Sequence, residues 1–168
     1  MTEFVAETMI AAPPKQVWEV LIDFAAYDQW HPYLTIDGRA KRFGWVSIAS
    51  RKLASPDATA RARAIILRLD AEKSFEYVTG NPFVLLTKRW FHLQPHPSGT
   101  LLRHGIRFTG LSARRILSEG HNIERFRPYF EAEAQALWRR AISGEVLRPK
   151  VGNRRNRRAT KAKSRHKD

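Results

Sequence analysis

The sequence predicts an α+β fold in which the helices gather on one face of a curved antiparallel sheet. Three observations predict it. Apolar residues alternate along the first ten positions, and a helical pattern that runs into an aromatic turn follows between Val17 and Leu34. Alternation then persists from Leu34 to Thr109, after which the period changes to threes and fours.

Taken in order, Thr2 to Ala11 places Phe4, Ala6, Thr8 and Ile10 on one side of a first strand. Pro13 and Pro14 open a helix, since proline suits a first helical turn. Val17, Trp18, Leu21 and Ile22 repeat on one helix face, and Phe24, Tyr27 and Trp30 continue at threes until Pro32 stops the run, which predicts two short helices capped by an aromatic turn. Leu34 to Asp37 is a short strand ending at Gly38, and Gly44 to Leu53 is the next. Ser55, Pro56 and Asp57 read as a turn, Ala60 to Leu69 and Lys73 to Thr79 as strands, and Gly80, Asn81 and Pro82 as a break. Val84 to Leu93 and Thr100 to Thr109 form the last pair around a turn at Pro95 to Gly99. Beyond Gly110, Ile116, Ile123, Phe126, Phe130, Ala134, Leu137, Trp138 and Ala141 mark a long helix that Gly144 ends, with a kink or restart expected at Pro128.

At 168 residues the chain has the length of one ordinary domain with one core. No apolar run reaches the ~18 residues of a membrane span, and the amino terminus lacks the basic and apolar regions of a secretory signal. The absence of cysteine excludes disulfides, Cys-ligated zinc, iron–sulfur clusters and thiol catalysis. A cytoplasmic location is expected. No G-x-S-x-G, no glycine-rich phosphate loop and no H-E-x-x-H occurs, so neither a serine hydrolase, a nucleotide cofactor nor a metal is expected.

Charge divides the chain. Residues 148–168 hold ten Lys or Arg against Asp168, a net +9 of the total +14, which leaves +5 for residues 1–147. Residues 151–168 contain no aromatic and one aliphatic side chain larger than alanine, too little apolar surface to offset the entropy of ordering them. The expected organisation is a folded domain over 1–147 and a basic, disordered tail over 148–168. Such a tail suits counterion-releasing contacts with a polyanion, nucleic acid or anionic lipid, and equally a solvated extension.

Several short motifs then fall in a telling order. Pro13 or Pro14, Val17, Trp18, Leu21, Asp23, Phe24, Trp30 and Pro32 are followed by Gly99, Thr100, Leu102 and His104, by Phe108 and Gly110, and by Ala136, Leu137, Arg140 and Ala141. This series, spanning Phe4 to Ser143, resembles the SRPBCC superfamily, the START-like and Bet v 1-like proteins that include the polyketide cyclase and lipid-transport group. The resemblance implies a helix-grip fold, a sheet wrapped around a long carboxyl-terminal helix, with an apolar cavity between them for a small hydrophobic, lipid or aromatic ligand. Relatives often carry acidic residues before F-x-G, where this chain has Ile106 and Arg107, so no role for a carboxylate there carries over.

On that expectation the cavity lining would come from Trp30, Tyr33, Trp45, Trp90, His92, Phe108, Phe126 and Phe130. The polar candidates are His31, Tyr33, His92, His104 and Arg107, because imidazole exchanges a proton near neutral pH and a buried Arg holds a carboxylate or enolate. The plainer reading is that the aromatics pack a core. If residues 95–99 form the loop, His92 lies near Leu102 and one diagonal step from His104. Three functions remain open at this point: a carrier, sensor or other non-catalytic binder, a cyclase or dehydratase using Tyr33, His92, His104 or Arg107 as proton shuttles or oxyanion partners, and a nucleic-acid-associated protein acting through its tail.

Overall fold

The computed structural model describes residues 2–52, 55–113 and 126–145. Its elements are β1 (Thr2–Ile10), α1 (Pro14–Ile22), a 3-10 turn (Phe24–Ala26), α2 (Tyr27–Trp30), β2 (Leu34–Asp37), β3 (Trp45–Lys52), β4 (Ser55–Asp70), β5 (Ser74–Asn81), β6 (Leu85–His96), β7 (Gly99–Thr109) and α3 (Arg127–Ser143). The seven strands form one antiparallel sheet in the order β1-β7-β6-β5-β4-β3-β2. The first strand thus closes beside the last, and the α1–α2 excursion carries the chain to the opposite edge.

Local sequence explains most of this. Pro13 is extended at the N-cap and Pro14 takes the first helical turn, so α1 starts where a missing N–H is harmless; it buries Val17, Trp18 and Leu21. His31 ends α2 in an extended conformation, as steric pressure from Pro32 dictates. Helix α3 begins at Arg127 with Pro128 in its first turn, so the expected kink is a helix start. Gly144 ends α3 with φ 66°, the left-handed region that favours glycine, and the Arg140 guanidinium donates to its carbonyl at 2.9 Å.

Two expectations are corrected. Ser55 to Asp57 is not a turn but the start of β4, which pairs with β3 across a register irregularity between Arg51 and Lys52, the kind of place that tolerates Pro56 in a strand. The β6–β7 turn is also tighter than residues 95–99, with His96 already paired to Gly99. Ile116, Ile123 and the tail over 148–168 lie outside the described residues.

The core fills the concave side of the sheet beneath α1, α2 and α3, with Val17, Leu21, Tyr27, Ile66, Leu102 and Leu137 all but sealed from solvent. Gln16 of α1 ties onto α3 by donating to the Ala141 carbonyl at 2.6 Å. Among the described residues no helix is long and apolar enough to cross a membrane.

Candidate functional site

The pleat of β6 sends Arg89 and Phe91 to the concave face and Lys88, Trp90 and His92 to the convex one. Facing Arg89 from α3 is Glu133, inside a buried stripe with Phe130, Ala134, Leu137 and Ala141. A carboxylate in such a stripe needs partners, because an isolated buried charge is very costly. Arg89 Nη2 donates to both oxygens, at 2.8 Å to Oε1 and 2.6 Å to Oε2. His31 Nε2 reaches Oε1 at 2.8 Å, and His104 Nδ1 reaches Oε2 at 3.2 Å.

The extended backbone at His31 fixes its tautomer. Its Nδ1 accepts from the backbone N–H groups of Tyr33 at 3.2 Å and Leu34 at 3.0 Å, so Nε2 carries the proton donated to Glu133. Tyr27, 1% exposed, stacks on the His31 ring at 5.5 Å and 14° and holds it in that orientation. His104 lies between the rings of Phe91 and Phe130, and its Nε2 has no hydrogen-bond partner among the described residues. The Arg89 guanidinium lies over Phe130, 4.3 Å from the ring centroid.

Electrostatics follow from this packing. Burial alone would raise the Glu133 pKa, but the Arg89 charge and the hydrogen bonds from His104 and His31 outweigh it and hold the carboxyl well below its ordinary value. Burial pushes the Tyr77 phenol up to about 12. Glu133 is therefore a fixed, fully occupied anion and Tyr77 a neutral hydroxyl, and the cation of the cluster is the Arg89 guanidinium.

Beside this cluster a cavity of about 330 Å³ opens between the sheet and the start of α3. Its floor is Ile48, Ala62, Thr79 and Ile106 from the concave face, and its roof is Phe126, Tyr129 and Phe130. His31, Tyr77, Arg89 and Glu133 form its polar inner end, and Ser50 and Arg51 belong to its margin. Tyr33 packs on Tyr129 with ring centroids 5.3 Å apart.

The structure brings some of the expected lining together and disperses the rest. Tyr33, Phe126 and Phe130 line the cavity. Phe108 packs on Phe126 at 5.4 Å, and His104 stands behind Phe130 in the Glu133 cluster. Trp30, 1% exposed, belongs to the core against Tyr27. Trp45 is 59% exposed on the convex face, with Arg63 over its ring at 5.0 Å. Trp90 lies on the same outer face and donates from Nε1 to Glu3 at 3.0 Å, as does Arg107 from Nη2 at 2.8 Å. Gly105 is required beneath Trp90, since a Cβ there would stand 2.6 Å from the indole ring. His92 bonds Glu76 at 2.9 Å.

The expected neighbourhood of His92 and His104 is corrected by one residue of register. His92 pairs with Arg103, and His104 pairs with Phe91, so the two imidazoles occupy opposite faces; a single-residue slip exchanges the faces of a strand. Arg89, Tyr77 and Glu133 were not singled out from the sequence. The available signals were a Glu at the i+3 position after Phe130 in an apolar helical stripe, and an Arg sharing strand parity with Phe91 and Leu93.

The family model for polyketide cyclase / dehydrase and lipid transport matches residues 1–143. No curated protein matches the sequence. Among solved structures, protein MLL2253 from Mesorhizobium loti is similar with a TM-score of 0.60 at 22% identity, over 82% of this chain and 98% of that one. Protein CV1439 from Chromobacterium violaceum gives 0.64 at 15% identity, over 82% and 95%. Ara h 8.0201 gives 0.62 at 13% identity, over 84% and 98%. At these identities the likeness shows the fold alone, a curved sheet gripping its carboxyl-terminal helix.

Proposed function

This chain belongs to the polyketide cyclase / dehydrase and lipid transport family, and we propose that it binds one small hydrophobic, ring-bearing ligand in the cavity beneath α3, as a carrier, sensor or other non-catalytic binder. The observation that carries the reading is the cavity itself: about 330 Å³, walled by aliphatic and aromatic side chains, with its few polar groups gathered at one end. The test is fluorescence titration with phenylnaphthylamine, an uncharged probe of two ring systems. Micromolar binding is expected, with loss on Ala62→Phe, which fills the floor, and none on Trp45→Ala, which alters the outer face. Binding unaffected by Ala62→Phe sinks the proposal.

A catalytic reading has one observation in its favour, that Tyr77, Arg89 and Glu133 reach the cavity wall. Against it, Glu133 is held ionised with both oxygens engaged and Tyr77 is held protonated, so neither is tuned for proton transfer near neutral pH. Turnover of aromatic polyketide analogues, abolished by Tyr77→Phe, would favour the enzyme. For residues 148–168 the proposal is polyanion binding, and it rests on their charge. Neutralising some six phosphates gives a log–log salt slope near about −5 on duplex DNA, and a chain ending at Leu147 should give a much shallower one.

A further inference from the structure

On β3 and β4 the side of the sheet away from the cavity has a pattern of its own. Ile48 and Ala62 point into the cavity, so the alternate positions, Trp45, Ser47, Ala49 and Arg51 of β3 with Arg61 and Arg63 of β4, point outward. Arg63 stands opposite Ser47 and Arg61 opposite Ala49. The two small residues keep the surface low over the roughly 20 Å of strand between Trp45 and Arg51.

Two aromatic rings on this side stand in water with a cation over each. Trp45 is 59% exposed, with the Arg63 guanidinium 5.0 Å from its ring centroid, and Phe43, in the loop before β3, is 61% exposed, with Arg42 at 4.8 Å. Phe43 is held at φ 60°, a left-handed conformation that is costly for a bulky residue, and its N–H donates to the Ile66 carbonyl of β4 at 2.8 Å. The charge is one-sided as well. Arg39, Lys41, Arg42, Arg51, Arg61 and Arg63 are exposed, and among the described residues none has an ion-pair partner, whereas on β7 Arg103 is paired with Glu7 and Arg107 with Glu3. The carboxylates nearby are Asp37, opposite Ser47, and Asp70, which Arg68 occupies.

We infer that the outer face of β3 and β4, with the loop before β3, is a binding track for single-stranded nucleic acid, its bases stacked at Phe43 and Trp45 and its phosphates held by Arg51, Arg61 and Arg63. Every base has a π face, and a guanidinium plane beside the ring widens the platform on which it stacks. The phosphates between the bases meet cations that have no carboxylate to give up, and they release counterions on binding. A duplex keeps its bases stacked inside and leaves the two rings without a partner. A lipid surface is the poorer occupant, because it rewards continuous apolar area, whereas Ser47, Ala49 and the arginines follow Trp45 along the strands.

Fluorescence anisotropy of the full chain with two labelled strands tests this: oligothymidylate of about ten residues, and an abasic strand of the same length that keeps the phosphates and lacks the bases. Oligothymidylate is expected to bind about tenfold more tightly. Phe43→Ala with Trp45→Ala should remove that advantage and leave the abasic strand unchanged, and Trp45→Ala alone should remove most of it, which keeps the test open if Phe43→Ala disturbs the loop. Arg51→Gln, Arg61→Gln and Arg63→Gln together should lessen the log–log salt slope by about 2 for both strands. Phe83→Ala, at an exposed ring on the β5–β6 turn, should change nothing. Equal affinity of the unaltered protein for the two strands overturns the inference and leaves the charge of residues 148–168 as the source of binding. An advantage that survives loss of both rings, or a loss on Phe83→Ala as large, also overturns it. So does binding to phosphatidylglycerol vesicles that falls in the double aromatic variant while the two strands bind alike, which would assign the face to a membrane.

Discussion

Glu133 on α3 and Glu76 on β5 are carboxylates surrounded by cations and imidazoles on opposite faces of one sheet. On the concave side Glu133 meets Arg89, His31 and His104, whose side chains are 14%, 5% and 0% exposed. On the convex side Glu76 meets Lys88, His92 and Arg68, at 32%, 42% and 54%. The carboxylates themselves are equally hidden, at 5% and 8%. The partners therefore decide the difference: water can replace a lost partner of Glu76 and cannot easily reach Glu133.

The largest effect should come from Arg89→Met. It leaves Glu133 buried without its cation, and urea melts should record a loss of about 3–5 kcal/mol. The double variant Arg89→Met with Glu133→Met should recover most of that loss, because an apolar pair of similar volume removes the desolvation cost with the charge. A double variant as unstable as the single one would mean that the cluster is required for the core's shape.

Lys88→Met is the matching change on the outer face and should cost at most about 1 kcal/mol in the same melts. A loss comparable to that of Arg89→Met would erase the distinction between the faces.

Acid should separate them next. Burial tends to raise both carboxyls, yet Arg89 with its two imidazoles lowers Glu133 well below its ordinary value, and Lys88 with His92 lowers Glu76. A depressed folded pKa gives stability that is full above the unfolded value of 4.5 and is lost as pH falls through the folded one. Stability should decline below about pH 4.5, and the difference between the unaltered protein and Glu76→Gln should vanish at a higher pH than the difference for Glu133→Gln. Melts across that range check the order.

The smallest effect is at Tyr77. Its raised pKa contributes stability that is full below the unfolded value of 10.0 and is lost as pH rises through about 12. While the protein is folded at about pH 11, phenolate absorbance should be nearly the same for Tyr77→Phe and the unaltered chain. A clear deficit in the variant would place Tyr77 in contact with water.

The β6–β7 hairpin shows how far sequence alone reaches. The alternation of Leu85–His96 and Gly99–Thr109 and the turn between them were legible, and so were Pro14 opening α1 and Gly144 closing α3, because each depends on a few neighbouring residues. The ordered motifs from Pro13 to Ala141 likewise carried the family and the helix-grip architecture. Tyr33, Phe126 and Phe130 were named as lining and do line the cavity, but the same reasoning named Trp45 and Trp90, which lie on the outer face.

Those failures have one physical origin. Composition and period identify a strand and its two faces, but which face meets the helix depends on register, and register depends on the length of one turn. With His96 paired to Gly99, His104 is carried in and His92 out. Glu133 depends on longer-range geometry still: 44 residues separate it from Arg89 and 102 from His31, and only the closure of α3 over the sheet brings the three within hydrogen-bonding distance. Sequence by itself determined the elements, their order and the family; the tertiary structure decided which side chains face the cavity and which charges neutralise one another there, because both depend on contacts between segments far apart in the chain.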